Sequence, residues 1–299
     1  MCYQIITDAT ADMDWALWDA AVIPMEVMVG RQLRRYGPEG DLSVENFYDA
    51  LRRGERASTS QITIDTYNCV FEEYLRKGTD ILYLSFSSGM SGTFQSACIS
   101  AAELRMRYPK RKILCVDTRS ASIKEGFLVY KAARRKAEGM GLEALADWAA
   151  GQIGRVRCRF LVDDLNTLKR GGRISPATAL MGTTLQIKPL LTINGNGRLE
   201  LVGKIRGRRR AIDSLLDYYA RNSGQEGPVL IGHGDCRPDA DGLAQQVKAR
   251  FPGARVLIAP VGPVIGAHTG PGMLSIAFWG AEQEPDGKWA HPWHADAIE

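Results

Sequence analysis

The stretch SFSSGMSGTFQSA, Ser85–Ala97, crowds hydroxyl side chains and two glycines into the place where an apolar run gives way to helical spacing. A helix that begins where a strand ends offers unpaired N–H groups and the positive end of its dipole, which suits an anion. Gly89 and Gly92 permit close backbone approach and positive φ, and Ser91 and Thr93 add hydroxyl donors. A plain capping role for Ser91 or Thr93 competes with that reading. Two more hydroxyl-bearing stretches, ITDAT (Ile6–Thr10) and ASTSQIT (Ala57–Thr63), occupy comparable positions. In an open parallel sheet, ligands bind outside the carboxyl ends of the strands, so three such stretches would converge on one crevice.

Histidine is scarce. His268 lies in IGAHTGPG among glycines, where an imidazole beside hydroxyls is a good hydrogen-bond donor to a carboxylate or phosphate. His233 and Asp235 lie close together in GHGD, with no nucleophile tied to them, and His291 and His294 fall in the C-terminal stretch. Basic residues gather in LKRGGR (Lys169, Arg170, Arg173) and GKIRGRRR (Lys204, Arg206, Arg208, Arg209, Arg210), with Lys188 nearby. Such runs are commonly solvated faces; two of them together suit an acidic partner or an anionic membrane surface.

The sequence shows no phosphate loop, no nucleophile elbow, no HExxH and no dinucleotide fingerprint behind the first strand. No cysteine or histidine spacing matches a metal site. The residues suit holding an anion better than cutting one.

The elements that must position these groups alternate through the first half. YQIIT, AVIPMEVMV, DILYLSFS and KILCVDT read as strands, and LSVENFYDALRRG, TIDTYNCVFEEYLRKG and GTFQSACISAAELRMRYP as helices. In the last of these, Phe94, Ala97, Cys98, Ala101 and Leu104 form one stripe. Two more helices, SIKEGFLVYKAARRKAEG and GLEALADWAAGQI, complete a mainly parallel sheet covered by helices. The second half reads as a mixed sheet. CRFLVDDL is a strand, PATALMGTTL a short helix, and KPLLTINGNGRLELVGKI a hairpin turning at Asn194–Gly197. Helix GRRRAIDSLLDYYARNS, strand PVLIGHGD, another helix, and the strands ARVLIAPVGPVIGAH and GMLSIAFW follow. The expected organisation is two α/β domains, 1–154 and 155–281, followed by a polar tail over 282–299.

At 299 residues, 45% hydrophobic and 24% charged, the chain has ample core for this. A net charge of +4 and the lack of zinc-finger, zipper or aromatic RNA platforms argue against nucleic acid. No apolar run is long enough to span a bilayer, and the N-terminus lacks the features of a signal peptide, so a cytoplasmic location is expected. The six scattered cysteines, with no paired spacing, agree with a reducing compartment. No coiled-coil seam is left over, which favours a monomer.

IITDATADM, TSQ (Thr59–Gln61), SSGMSGTFQSA, LKRGGRIS, IKPLLTINGNGRL and GAHTGPG, in this order from Ile5 to Trp279, resemble the DegV family, whose members are similar to the fatty-acid-binding subunit of bacterial fatty acid kinase. The resemblance implies two α/β domains enclosing a long-chain fatty acid, its tail in an apolar tunnel and its carboxyl near the surface. Thr59, Ser91 and His268 would hydrogen-bond the carboxylate, supported by Ser60, Gly92 and Thr93. Arg170, Arg173, Lys188 and Arg206 would lie near the tunnel mouth, facing a partner kinase or, transiently, an anionic membrane. The protein would have no catalytic site and no cofactor of its own; the separate kinase subunit, using ATP and magnesium, would convert the bound carboxylate to an acyl phosphate. Ala9 departs from the family pattern, which has serine there, and Trp15 and Trp18 make the next segment bulkier, with consequences for tail preference. Two other readings compete. One is an enzyme acting on a small phosphorylated metabolite, with SSGMSGT holding phosphate and His268 as acid or base. The other is a regulatory protein that uses its basic face and holds lipid only structurally. A long apolar tunnel rather than a short polar cleft favours the carrier.

Overall fold

The computed structural model describes residues 2–163, 165–175 and 186–280. The expected helix PATALMGTTL and the polar tail 282–299 lie outside the described residues.

Strand β1 (Tyr3–Asp8) is the centre of a parallel sheet in the order β2 (Ala20–Ile23), β1, β6 (Asp80–Ser85), β7 (Ile113–Asp117). Every residue of β6 and β7 is buried, as expected for parallel strands covered on both faces. Helices α2 (Ile64–Arg76) and α3 (Thr93–Arg107) pack on one face. Thr63 caps α2 by accepting from Thr66 N, and Gly78, at φ +75°, ends it. On the other face lie α4 (Ser122–Ala137) and α5 (Leu142–Gln152), and beyond them the second sheet.

That second sheet is mixed, in the order β10 (Leu199–Arg206), β9 (Ile187–Ile193), β8 (Val156–Leu161), β13 (Leu274–Gly280), β11 (Ser223–His233), β12 (Val256–Pro260). Helices α7 (Arg208–Asn222) and α8 (Arg237–Arg250) cover its outer face; the short α6 (Asn166–Arg170) follows β8. The layers therefore run helices, sheet, helices, sheet, helices. This stacking explains α4, which is buried almost all round over residues 122–130 and contacts β8, β11 and β13. The hairpin turns as its sequence predicts: Asn194 Oδ1 accepts from the amides of Asn196 and Arg198, and Gly197 takes φ +70°.

Two expected elements differ. AVIPMEVMV is not one strand. It breaks at Pro24, which has no N–H to give a ladder. β2 stays in the parallel sheet, while β3 (Met25–Val29) pairs antiparallel with β4 (Gln32–Tyr36) and β5 (Ala57–Thr59) in a separate three-stranded sheet. ARVLIAPVGPVIGAH also divides. Its first half is β12, but Gly262 and Pro263 start helix α9 (Pro263–Thr269), proline being well suited to a first helical turn. Val264 and Ala267 of α9 join the core formed by β1, β3, α1 (Val44–Arg52) and α2. A segment from the end of the chain thus returns to pack in the first half. Trp15 packs on Tyr36, and Trp18 lies in the core beside α4 and α5; neither reaches the cavity described next. Ala9 is fully buried and likewise does not line it.

Candidate functional site

A cavity of about 740 Å³, its open mouth included, lies between the two sheets. Its walls are mainly apolar: Phe86 and Met90 come from the loop after β6, Phe160 from β8, Ile193 and Leu199 from the hairpin, and Ile265 from α9. Alternation along β8 turns Cys158 and Phe160 inward, a signal present in the sequence but not read there as a cavity wall. The polar groups deep in the cavity are already engaged, since Ser122 donates to Asp12 and Ser275 to Gly232 O.

Thr59, Ser60, Gln61, Ser91 and His268 stand together on the wall, with Ser60 exposed at the mouth. Thr59 arrives at the end of β5, where it pairs with Val27; Ser91 arrives from the loop before α3, and His268 from the last turn of α9. Thr59 Oγ1 lies 2.8 Å from His268 Nε2. Burial, and then the charge of Arg173, lower the imidazole pKa to about 4, so the ring is neutral at neutral pH. With its hydrogen on Nε2, the ring donates to Thr59 and leaves the threonine's own proton for a ligand. Ser91 Oγ accepts from Thr93 N at 3.2 Å and lies 2.9 Å from Thr93 Oγ1. It orders the start of α3 and lines the cavity.

The remaining hydroxyls of the Ser85–Ala97 stretch are structural. Ser87 donates to Gly197 O at 2.7 Å, and Ser88 donates to Asp117 at 2.5 Å. Gly89 and Gly92 do not take positive φ; they are needed for close approach. A methyl group on Gly89 would sit 2.5 Å from Asn196 O, and one on Gly92 would sit 2.3 Å from Gln61 Oε1. Gln61 thereby fits the TSQ stretch against the start of α3, a role the sequence did not announce.

The basic residues are placed differently from one another. Arg173 lines the cavity, donates through Nε to Met90 O at 3.1 Å and also bonds Gly171 O, joining LKRGGR to the Ser91 loop. Arg170 is exposed, in an outer cleft that Arg56, Gly171 and the far side of His268 also line. Lys188 is paired with Asp163 at 2.7 Å, and Arg206 is exposed and bonds Gln186. Among the described residues, no group of three or more His, Cys, Asp or Glu is placed to hold a metal ion, and no helix is long and apolar enough to cross a membrane.

The ITDAT stretch does not line the crevice; it builds the floor beneath it. Tyr83 donates to Asp8 Oδ2 at 2.7 Å, so the 2.6 Å contact between Tyr67 and Tyr83 has Tyr67 as donor. The amides of Phe86 and Thr10 also donate to Asp8. Thr10 Oγ1 lies 2.6 Å from Asp8 Oδ1 and 2.7 Å from Glu125 Oε2. One hydroxyl has one proton, so it donates to one carboxyl and receives from the other. Asp8, with donors on both oxygens, is the acceptor, and Glu125 carries the proton. Burial, and then the charge of Asp8, push the Glu125 carboxyl well above the usual carboxylate range. An acid raised in this way stabilises the fold fully at low pH, and that contribution is lost as pH rises from the unfolded value of about 4.3 through the folded one. Denaturant unfolding followed from pH 5 to 9 is therefore expected to show a flatter alkaline loss for Glu125→Gln than for the native chain. Parallel curves would take the proton off Glu125.

The cavity suits a ligand with one polar group and an apolar part. The chain matches the family model described as "Uncharacterised protein, DegV family" over residues 3–280, and it belongs to that family. It is 39% identical over 249 residues to a DegV domain-containing protein of Clostridium perfringens, covering 83% of this chain and 86% of the relative. A DegV domain-containing protein of Lactococcus lactis is 36% identical over 280 residues, covering 92% and 97%. Among solved structures, a fatty-acid-binding DegV family protein from Thermus thermophilus is 30% identical with a TM-score of 0.82, covering 94% of this chain and all of that one. The fatty acid kinase B3 protein of Streptococcus pneumoniae, solved with linoleic acid, has the same fold at 19% identity and a TM-score of 0.82, covering 93% and 99%.

Proposed function

We propose that this protein is a fatty-acid carrier that encloses the acyl chain and presents the carboxylate to a separate kinase subunit for acyl-phosphate formation, with no catalytic or nucleotide site of its own. The observation that carries this reading is the apolar cavity whose mouth brings together Thr59, Ser91 and a neutral His268. Exposing an acyl chain to water costs about 0.8 kcal/mol per CH₂, so a carrier in water must enclose it. Neutral donors hold a carboxylate without neutralising it, which leaves it nucleophilic toward a phosphoryl donor. The fatty acids bound by the Thermus and Streptococcus proteins support the ligand class, and the kinase named for the latter supports the partner. Arg170, on the outer cleft behind His268, and Arg206 are the proposed contacts for the kinase or an anionic membrane surface.

Native mass spectrometry of the purified protein, followed by extraction, tests this directly. A stoichiometric fatty acid is expected, lost or reduced at least about tenfold in Thr59→Ala and Ser91→Ala, because each removes a hydrogen bond to a charged group. Recovery of phosphate or a sugar phosphate in its place would overturn the carrier and favour an enzyme of phosphorylated metabolites.

A further inference from the structure

The IITDATADM stretch contains a second buried carboxyl that the site as described does not use. Asp12 is 1% exposed. Its Oδ2 accepts from Ser122 Oγ at 2.6 Å, and its Oδ1 accepts from the amide of Gly262 at 2.9 Å. Ser122 lines the cavity at the start of α4, with a left-handed φ of +54° that a serine seldom adopts. Gly262 immediately precedes α9. One carboxyl thus joins the strained residue in the cavity wall to the start of the helix that carries His268.

Helix α9 has seven residues, too few to be stable alone, so its place depends on what holds its ends. Its start is held from both halves of the chain: Val261 N donates to His233 O at 2.8 Å, and the first half adds the contacts of Tyr48 and Tyr36. Tyr48 donates to Val261 O at 3.0 Å, and Tyr36 packs so closely that a methyl group on Gly262 would lie 2.6 Å from its hydroxyl. Its other end delivers His268 to Thr59. Six residues of helix, about 9 Å, separate Gly262 from His268, so a shift at the first is carried rigidly to the second.

We propose that Asp12 is a positioning residue for the carboxylate site, fixing Ser122 and α9 together and, through α9, setting His268 against Thr59. The inference deepens the carrier reading and rests on it for the identity of the ligand. The groups facing Asp12 are Ser122 and, further along α4, Glu125; Tyr36 of β4; Tyr48 of α1; and the Gly262 amide. None is a cation. Burial pushes the Asp12 carboxyl up to about 7.

The test compares Asp12→Ala, Asp12→Asn and Tyr48→Phe with the native chain by two readouts: the imidazole signals of His268 in the ligand-free protein across pH 3 to 8, and palmitate affinity. In Asp12→Ala, the His268 titration is expected to move upward toward that of a free imidazole, and palmitate affinity to fall about tenfold, the cost of two unmade bonds to a buried group. Asp12→Asn, which still accepts from the Gly262 amide, is expected to restore both and to remove any change of affinity between pH 6 and 8. If Asp12→Ala does not fold, Tyr48→Phe, which frees Val261 O at the same turn, is expected to shift His268 in the same direction. A native His268 titration in folded Asp12→Ala, or in Tyr48→Phe where Asp12→Ala is unfolded, overturns the proposal. Failure of palmitate to bind the native chain removes the carrier reading, while the ligand-free His268 signals still decide the role of Asp12.

Discussion

Gly171→Ala is expected to lower fatty-acid affinity by about 10- to 100-fold while leaving the fold intact. A methyl group there would lie 2.2 Å from His268 Nδ1, 3.1 Å from Cε1 and 3.3 Å from Cγ, against the Nδ1 edge of the ring, opposite the Nε2 that meets Thr59. The backbone at Gly171 has φ −71° and ψ −9°, which alanine adopts without strain, so the effect comes from the collision alone. The imidazole cannot yield toward Thr59, 2.8 Å away, and relieving such overpacking costs about 1–3 kcal/mol. The neighbouring glycine is the control. Gly172 has φ +72° and open space around its missing side chain. Gly172→Ala is expected to cost about 1 kcal/mol of stability through its left-handed backbone and to leave affinity unchanged. Calorimetric titration with palmitate and thermal unfolding of both variants separate the two effects. Native affinity in Gly171→Ala would mean that His268 does not set the carboxylate site.

The second large effect is on stability, at the contact between the hairpin and the Ser91 loop. Gly89→Val is expected to destabilise the protein by about 2–5 kcal/mol, from overpacking and from the loss of a buried hydrogen bond. The first methyl alone would sit 2.5 Å from Asn196 O and 2.8 Å from Gly197 C and O. These are backbone atoms of a tight turn and cannot rotate aside. Separating the two loops would also break the bond from Ser87 to Gly197 O and the one from Arg119 to Gly195 O. Because Ile193 and Leu199 flank this turn and line the cavity, the same variant is expected to release bound fatty acid faster. Thermal unfolding and a ligand-exchange time course measure both. Unchanged melting would show that the hairpin tip does not clasp the loop.

Much of this was legible in the chain. Apolar runs without alternation at DILYLS and ILCVD announce strands buried on both faces, and the rhythm of helices between them announces a parallel sheet. Asn194–Gly197 announces its hairpin because an asparagine side chain and a glycine at positive φ make that turn locally. The TSQ, SGT and GAHTGPG stretches were legible as hydrogen-bonding groups, and the fold brings Thr59, Ser91 and His268 to one cavity wall. Their separate roles were not. Ser91 faces the cavity while Ser87 and Ser88 bond elsewhere, a difference that depends on the hairpin and on Asp117.

The sequence by itself determined the order of elements and the kinds of group at the mouth, because helical and strand periodicity, turn chemistry and capping act over a few residues. Only the tertiary structure decided which of those groups meet. His268 lies 209 positions from Thr59, and Asp12 lies 250 positions from Gly262; no local pattern encodes such pairings. They arise because α9, too short to stand alone, buries Val264 and Ala267 in the first half of the chain while Ile265 stays packed against the second sheet. The same packing made a helix of the expected strand at 263–269 and set an imidazole, kept neutral by burial, at the mouth of an apolar cavity.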